Sequence, residues 1–297
     1  MRALALASSG LFLFAATQQA ALPAPLQRQI DVLGAAPSLT VDYTVKVGMD
    51  AAKPYRLELS RPDAFRLTTP TGFVLSDGKT VTTYDAAKKS YKQVPYAPDA
   101  LATYPEGSVW GAFFGPKAMP EIIYSKVGVD RTVGGNVVTE VEVVTRKMPR
   151  ATIFLDKKLG VARGWSRKDG DTETIVLAKT IAIGKAPLPA TTFAFVAPAG
   201  ATKEADAPVV AFATVKALID DRCLPCHGGA QPRAGVKLDT YEGILANVKP
   251  YDPAASLLIK SVKGDGVKLM PLGNHPKLTP DEIKQWSDWI AGGAKKD

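Results

Sequence analysis

A chain of 297 residues suits two domains of ordinary size. Its net charge of +8 implies attraction to acidic partners. The basic residues come in pairs such as Lys88-Lys89, Lys157-Lys158 and Lys295-Lys296 and never in a block, which excludes a nucleic-acid-binding tail and reads as solvated surface.

The N-terminus carries the first signal. Arg2 precedes an apolar run from Ala3 to Ala16, and Thr17-Gln18-Gln19-Ala20-Ala21 then supplies small and polar residues suited to leader cleavage. The run falls short of the roughly 18 apolar residues that a bilayer-spanning helix needs, and no later segment is longer. A buried helix is the alternative, but the segment has no polar face. Residues 1–21 are therefore expected to be a signal peptide, which places the mature chain in a bacterial periplasm without a transmembrane segment.

Leu26 to Leu33 reads as a short helix. Leu39, Val41, Tyr43, Val45, Val47 and Met49 then alternate with Thr40, Asp42, Thr44, Lys46 and Gly48, the period of a strand with one buried face. Similar alternation follows at Tyr55, Leu57 and Leu59, at Phe65 and Leu67, and at Val141 and Val143. Asp77-Gly78 is a hairpin turn between Phe73-Val74-Leu75 and Val81 to Tyr84. Gly134-Gly135-Asn136 does the same between Val127 to Val133 and Val137 to Thr145. Closely spaced hairpins describe an antiparallel meander, interrupted over residues 99–126 by a mixed stretch expected to carry helices over the sheet.

Residues 22–203 resemble the periplasmic lipoprotein-carrier family, the LolA/LolB-like domains. The resemblance rests on the N-terminal helix leading into Ser38 to Met49, on Arg61-Pro62-Asp63-Ala64-Phe65-Arg66-Leu67, on Ser76-Asp77-Gly78-Lys79-Thr80 with Thr83-Tyr84-Asp85, and on Phe193-Ala194-Phe195-Val196-Ala197-Pro198 as a final strand. It implies a curved antiparallel β half-barrel with covering helices and an apolar cavity able to take the acyl chains of a lipid or lipoprotein.

Small residues, prolines and charges from Ala197 to Pro208 read as a linker, with the domain boundary at residues 204–208. Residues 209–297 then form a segment small for an independent core, unless a bound group supplies part of the interior. Phe212, Val215, Leu218 and Ile219 recur at helical spacing, so a first helix delivers Arg222 and Cys223.

Cys223-Leu224-Pro225-Cys226-His227 holds both cysteines of the chain. Two thiols at this spacing can add to the two vinyl groups of one haem, and the adjacent imidazole of His227 can ligate its iron. One covalently attached haem c is the leading reading, and export agrees with it. A dithiol–disulfide couple is an alternative, though the βαβ setting of thiol oxidoreductases is missing. A Cys2His2 zinc site using His275 is another, with a histidine gap unlike that of a zinc finger.

Met270, before Pro271, is the expected second axial ligand, because a thioether is a soft donor that raises the reduction potential and the proline holds Met270 extended. His275 is the alternative ligand, a filler role for Met270 the third reading, and an open site the fourth. Thr279-Pro280-Asp281-Glu282 is a helix start with a capping box. Ile283, Trp286 and Ile290 mark one face of that helix, Trp289 lies beside it, and Gly292-Gly293 ends it. Trp286 and Trp289 are read either as ordinary core or as packing against the haem.

The run from Cys223 to His227, Met270-Pro271, Leu278 to Ile283 and Trp289 to Ala294 is similar to compact bacterial c-type cytochrome domains, including the planctomycete type. The resemblance implies a small all-α fold with histidine and methionine on iron. The chain is thus expected to be an α+β protein of two domains. Its expected task is single-electron transfer to a periplasmic redox protein, one with an acidic surface, rather than turnover of a substrate. The alternatives are a periplasmic lipid or hydrophobic-ligand-binding protein with a haem sensor or anchor, and a peroxidase-type enzyme whose second axial ligand leaves. With His227 and His275 the only histidines, a Ser-His-Asp hydrolase finds no support.

Overall fold

A computed structural model of the chain describes residues 22–115, 118, 121–145, 150–206 and 208–296. The leader expected at residues 1–21 lies outside them. The chain divides into two compact units: residues up to Val81 together with Pro95–Phe195, and residues Thr82–Val94 together with Val196 onward.

The first unit opens with helix α1 (Ala24–Ala35), which buries Leu26, Gln29 and Leu33 on one face at the three- and four-residue spacing of an amphipathic helix. Arg61 finishes the helix. Its Nη2 donates to the carbonyls of Leu33 and Gly34 at 3.2 and 2.7 Å and its Nε to Ala36 at 3.2 Å, which satisfies acceptors that a helix end leaves free. Strand β1 (Ser38–Val47) shows the expected alternation, with Leu39, Val41, Tyr43 and Val45 buried. The alternation was expected to run further, but Val47 is half exposed and Met49 fully so, because the strand ends at Val47 and Met49 falls in the turn beyond it.

Strands β2 (Lys53–Ser60), β3 (Ala64–Thr69) and β4 (Gly72–Asp77) follow as a meander. Later come β7 (Ile122–Val133), β8 (Asn136–Thr145), β9 (Ala151–Asp156), β10 (Ala162–Asp169) and β11 (Thr172–Gly184), numbered after β5 (Thr80–Asp85) and β6 (Ser90–Pro95). The order across this unit is β4-β3-β2-β1-β11-β10-β9-β8-β7, with every neighbouring pair antiparallel. The turns at Asp77-Gly78 and Gly134-Gly135 stand where the sequence placed them. The former is tied by Asp77 Oδ1, which accepts from Lys79 N and Thr80 N at 2.9 and 2.8 Å. The mixed stretch after Asp99 holds a 3-10 turn at Leu101–Thr103, the short helix α2 (Pro105–Ser108) and a second 3-10 turn at Gly111–Phe114. Between these last two, Trp110 is fully buried, and its Nε1 donates to Ala162 O at 2.9 Å.

The final strand expected over Phe193 to Pro198 does not form. Ala190–Phe193 is a 3-10 turn and no regular element follows before Thr202. Pro198 lacks the N–H that a ladder needs, and Phe193 is buried at the end of the 3-10 turn.

In the second unit, the stretch with linker composition is tied down. Strand β12 (Thr202–Lys203) pairs in parallel with β6, Glu204 N donates to Tyr91 O at 2.8 Å and Ser90 Oγ to Glu204 Oε1 at 2.6 Å. Among the described residues five helices follow: α3 (Phe212–Arg222), α4 (Leu224–His227), α5 (Tyr241–Leu245), α6 (Leu257–Lys263) and α7 (Pro280–Ala291). Their common core joins Val215 and Ile219 of α3, Ile244 of α5, Leu258, Ile259 and Val262 of α6, and Trp286, Trp289 and Ile290 of α7. The capping box of α7 is made in both directions, Glu282 N to Thr279 Oγ1 at 3.2 Å and Thr279 N to Glu282 Oε2 at 2.7 Å. Among the described residues no helix is long and apolar enough to cross a membrane.

Candidate functional site

Helix α3 ends at Arg222, and the backbone turns directly into α4, where Cys226 N and His227 N both donate to Cys223 O at 3.1 and 2.9 Å. This single turn brings the two cysteines and the histidine to one wall. Cys223 and Cys226 are free thiols. Burial pushes the Cys223 thiol up from 9.0 to about 11, with smaller contributions from Asp221 and Cys226, while Arg222 opposes the rise.

Cys223, Cys226, His227, Met270 and His275 all line one cavity of about 310 Å³. Leu238 and Val236 beyond α4, and Leu258 and Val262 of α6, make its apolar wall. Arg222, Arg233 and Lys268 are its cations. Trp286 and Trp289 are not among the lining residues: both lie in the helical core, where Trp289 packs at 5.6 Å from the Phe212 ring and donates through Nε1 to Lys295 O at 2.9 Å. Trp286 Nε1 is buried and has no partner among the described residues.

His227 and Met270 are each held by a group the sequence did not announce. His227 Nδ1 stands 3.1 Å from Val236 O, and Leu238 N donates to His227 O at 2.8 Å. With Nδ1–H donating to that carbonyl, Nε2 keeps its lone pair. Met270 N donates to Ser261 O at 2.8 Å, which pins the backbone of Met270 to α6. The loop between α6 and α7 starts at Gly264, whose left-handed backbone (φ +70°) closes the helix. Lys277 Nζ then bridges the carbonyls of Pro271 and Gly273. Arg222 ties the same region together, donating to Asp221 and Glu282 carboxylates at 2.5 and 3.4 Å and to Lys277 O at 3.4 Å. A carbonyl partner such as Val236 has no side-chain signature. Ser261 likewise acts through its backbone, so neither could be read from residue types.

The donor set is two thiols, an imidazole and a thioether around an apolar cavity, which fits a covalently held haem. Among the described residues no three His, Cys, Asp or Glu side chains gather as metal ligands, which leaves the zinc alternative without a constellation.

Residues 223–271 match the family model of Planctomycete cytochrome C. The matched cytochrome segment starts on the first cysteine and ends on the proline after Met270, short of His275. No curated protein matches the chain. Solved structures similar to it include an uncharacterized conserved protein from Thermus thermophilus, 8% identical, covering 61% of this chain and 97% of that one with a TM-score of 0.42. They also include LprF from Mycobacterium bovis, 12% identical over 55% and 95% with a TM-score of 0.32. A LolA superfamily protein from Nitrosomonas europaea is 9% identical over 58% and 96%, with a TM-score of 0.30. Of the two resemblances read from the sequence, the planctomycete-type cytochrome is matched by the family model over residues 223–271. The cytochrome family implies haem c as the cofactor.

Proposed function

We propose that this chain is an exported mono-haem c-type cytochrome that passes single electrons to a periplasmic redox protein. One observation carries the reading: Cys223, Cys226, His227 and Met270 line the same cavity, and each backbone is fixed by hydrogen bonds. Cys223 and Cys226 would hold the haem by adding their S–H bonds across its two vinyl groups, sulfur to one carbon and hydrogen to the other, with no net redox change. Haem c, when bound, supplies the one-electron Fe(III)/Fe(II) couple. His227 would present Nε2 to iron, oriented by Val236 O, and Met270 its thioether sulfur, with His275 the competing donor. The apolar wall of Val236, Leu238, Leu258 and Val262 limits water, while Arg222, Arg233 and Lys268 would face the carboxylates of the group. His227 and Met270 would both be engaged in holding the group, which favours a carrier over an enzyme.

The proposed organisation is a leader at 1–21, a β half-barrel domain at 22–203, a linker at 204–208 and a haem domain at 209–297. The β domain would dock a partner or bind lipid, and a lipid-binding protein with a haem sensor is the second reading. A net charge of +8 favours an acidic redox partner. A redox titration with visible spectra of the exported protein tests the proposal. A low-spin spectrum and one reversible one-electron wave are expected; high-spin iron that reacts with peroxide would replace the carrier by an enzyme.

A further inference from the structure

The first unit contains a second cavity, of about 60 Å³, bordered by α1, α2, β7, β8, β9 and β10. Leu26, Val109, Ile122, Val143 and Ile153 make most of its wall. Gln29, Ser108 and Thr145 also line it; Gln29 is bonded to Val109 O and Ala162 N and Ser108 to Pro105 O, so the donors left for a ligand are on two side chains of β10. Trp165 is 6% exposed, lines the cavity, and its Nε1 is buried without a hydrogen-bond partner among the described residues. Arg167, two residues on and on the same face of the strand, also lines the cavity, and its Nε is likewise buried without a partner. The guanidinium carbon stands 5.8 Å from the centre of the Trp165 ring, and both side chains line the same cavity. Arg167 Nη2 is spent on the exposed Asp169 at 2.7 Å, which fixes the guanidinium and leaves Nε for the cavity.

Backbone geometry sets this pair in place. The pairing of β10 with β9 shifts register between Ala162 and Gly164. Gly164 sits at φ +148°, where an added Cβ would stand 1.9 Å from Val176 O, so only glycine allows the bulge. Directly after it Trp165 and Arg167 face the cavity, opposite Ile153 and Ala151 in the β9 register.

Buried N–H donors without acceptors are costly, and two of them converging on an apolar pocket ask for a ligand that accepts twice and is otherwise hydrocarbon. A volume of about 60 Å³ holds roughly four water-sized groups at about 15 Å³ each. That is the size of a carboxylate carrying one or two further carbons. We propose that this cavity binds a short-chain aliphatic carboxylate, one oxygen accepting from Trp165 Nε1, the other from Arg167 Nε, and the chain lying against Leu26, Val143 and Ile153. The site is independent of the haem reading.

The test is isothermal titration of the full-length exported protein with propanoate, propanamide and dodecanoate. Propanoate should bind saturably at one site per chain, and propanamide, with no charge for Arg167, at least tenfold more weakly. Trp165→Phe keeps the ring and removes the donor, and it should weaken propanoate at least tenfold. Arg167→Gln should do the same, at a side chain that is 21% exposed, with circular dichroism checking that the variant is folded. No saturation by propanoate would mean that water alone fills the cavity. Equal affinity for propanamide, tighter binding of dodecanoate, or unchanged affinity in folded variants would each overturn the proposal.

Discussion

His227 Nδ1 stands 3.1 Å from the carbonyl oxygen of Val236, nine residues on. The segment after α4 therefore returns to the histidine that closes it, and Leu238 N donating to His227 O makes the return two-sided. An imidazole held in one tautomer at a cavity wall is arranged to offer Nε2 as a donor. The thiols beside it set the first expectation. Acid-acetone treatment of the denatured protein should leave its haem colour on the chain, and replacing Cys223 and Cys226 together with Ala should remove it. Colour that extracts freely from the wild type would refute covalent attachment.

The opposite ligand separates two residues of one loop. Met270 is anchored to Ser261 through its backbone, whereas His275 is exposed although it borders the same cavity. Met270→Ala should abolish the weak sulfur-to-iron absorption band of the oxidised protein and lower its potential. His275→Ala should leave both nearly unchanged, and the reverse pattern would hand the position to His275.

Burial raises the Cys223 thiol to about 11, so the chain made without haem carries a sluggish nucleophile there. Because the shift from 9.0 spans two pH units, its thiolate at pH 8 is scarcer by about 100-fold than in the unfolded chain. In a Cys226→Ser variant without haem, alkylation of Cys223 by iodoacetamide should be slower in the native state than in denaturant by about that factor. The sign for stability follows: the haem-free fold keeps its full contribution from this group below the ordinary thiol value and loses it as pH rises through about 11. Equal alkylation rates in the two states would show that the thiol is not buried as described.

How much of this was legible in the sequence depends on the physics of each part. Strand β1 and the α7 cap were readable because a period of two and a Thr-Pro-Asp-Glu start are local signals. Cys223 to His227 was readable because the motif is contiguous. The strand expected at Phe193 to Pro198 came from the family resemblance alone, and the residues themselves carry no such signal, since Pro198 lacks the N–H of a ladder. The tie of Thr202 and Glu204 to β6 was hidden because small and charged residues carry no periodicity. Val236 and Ser261 were unreadable since their carbonyls do the work, and the Trp165–Arg167 pair because facing across a cavity is a property of register rather than of residue type.

Thr279 and Glu282 satisfy each other's backbone at the start of α7, the helix that carries Trp286, Trp289 and Ile290 into the core. Thr279→Ala removes the acceptor for Glu282 N and should cost about 1 kcal/mol. Denaturant unfolding of the haem-loaded protein would measure it, and Thr279→Ser should restore most of the loss. No change in midpoint would mean that packing alone sets the start of this helix.

Asp156 closes the β9–β10 turn that leads into Gly164 and Trp165. It is 3% exposed; its Oδ1 accepts from Lys158 N and Leu159 N at 2.8 Å each, and its Oδ2 from Arg163 Nε at 2.7 Å. Burial works to raise its carboxyl, but the Leu159 N–H, Arg163 and the Lys158 N–H together outweigh it and hold the group below its ordinary value of 3.8. Asp156→Ala leaves the largely buried Arg163 without its counter-ion, with only Asn136 Oδ1 as a side-chain partner at 3.0 Å, and should cost about 3 kcal/mol. The pH dependence has a fixed sign. A carboxyl with a depressed folded value gives its full stability above 3.8 and loses it as pH falls through the lower folded value, because the unfolded chain then binds the proton first. The gap in melting temperature between wild type and Asp156→Asn should therefore be widest near neutrality and narrow as the pH falls below 4. A gap that stays constant down to pH 2 would show that the turn is held by backbone geometry and that the charge on Asp156 adds nothing.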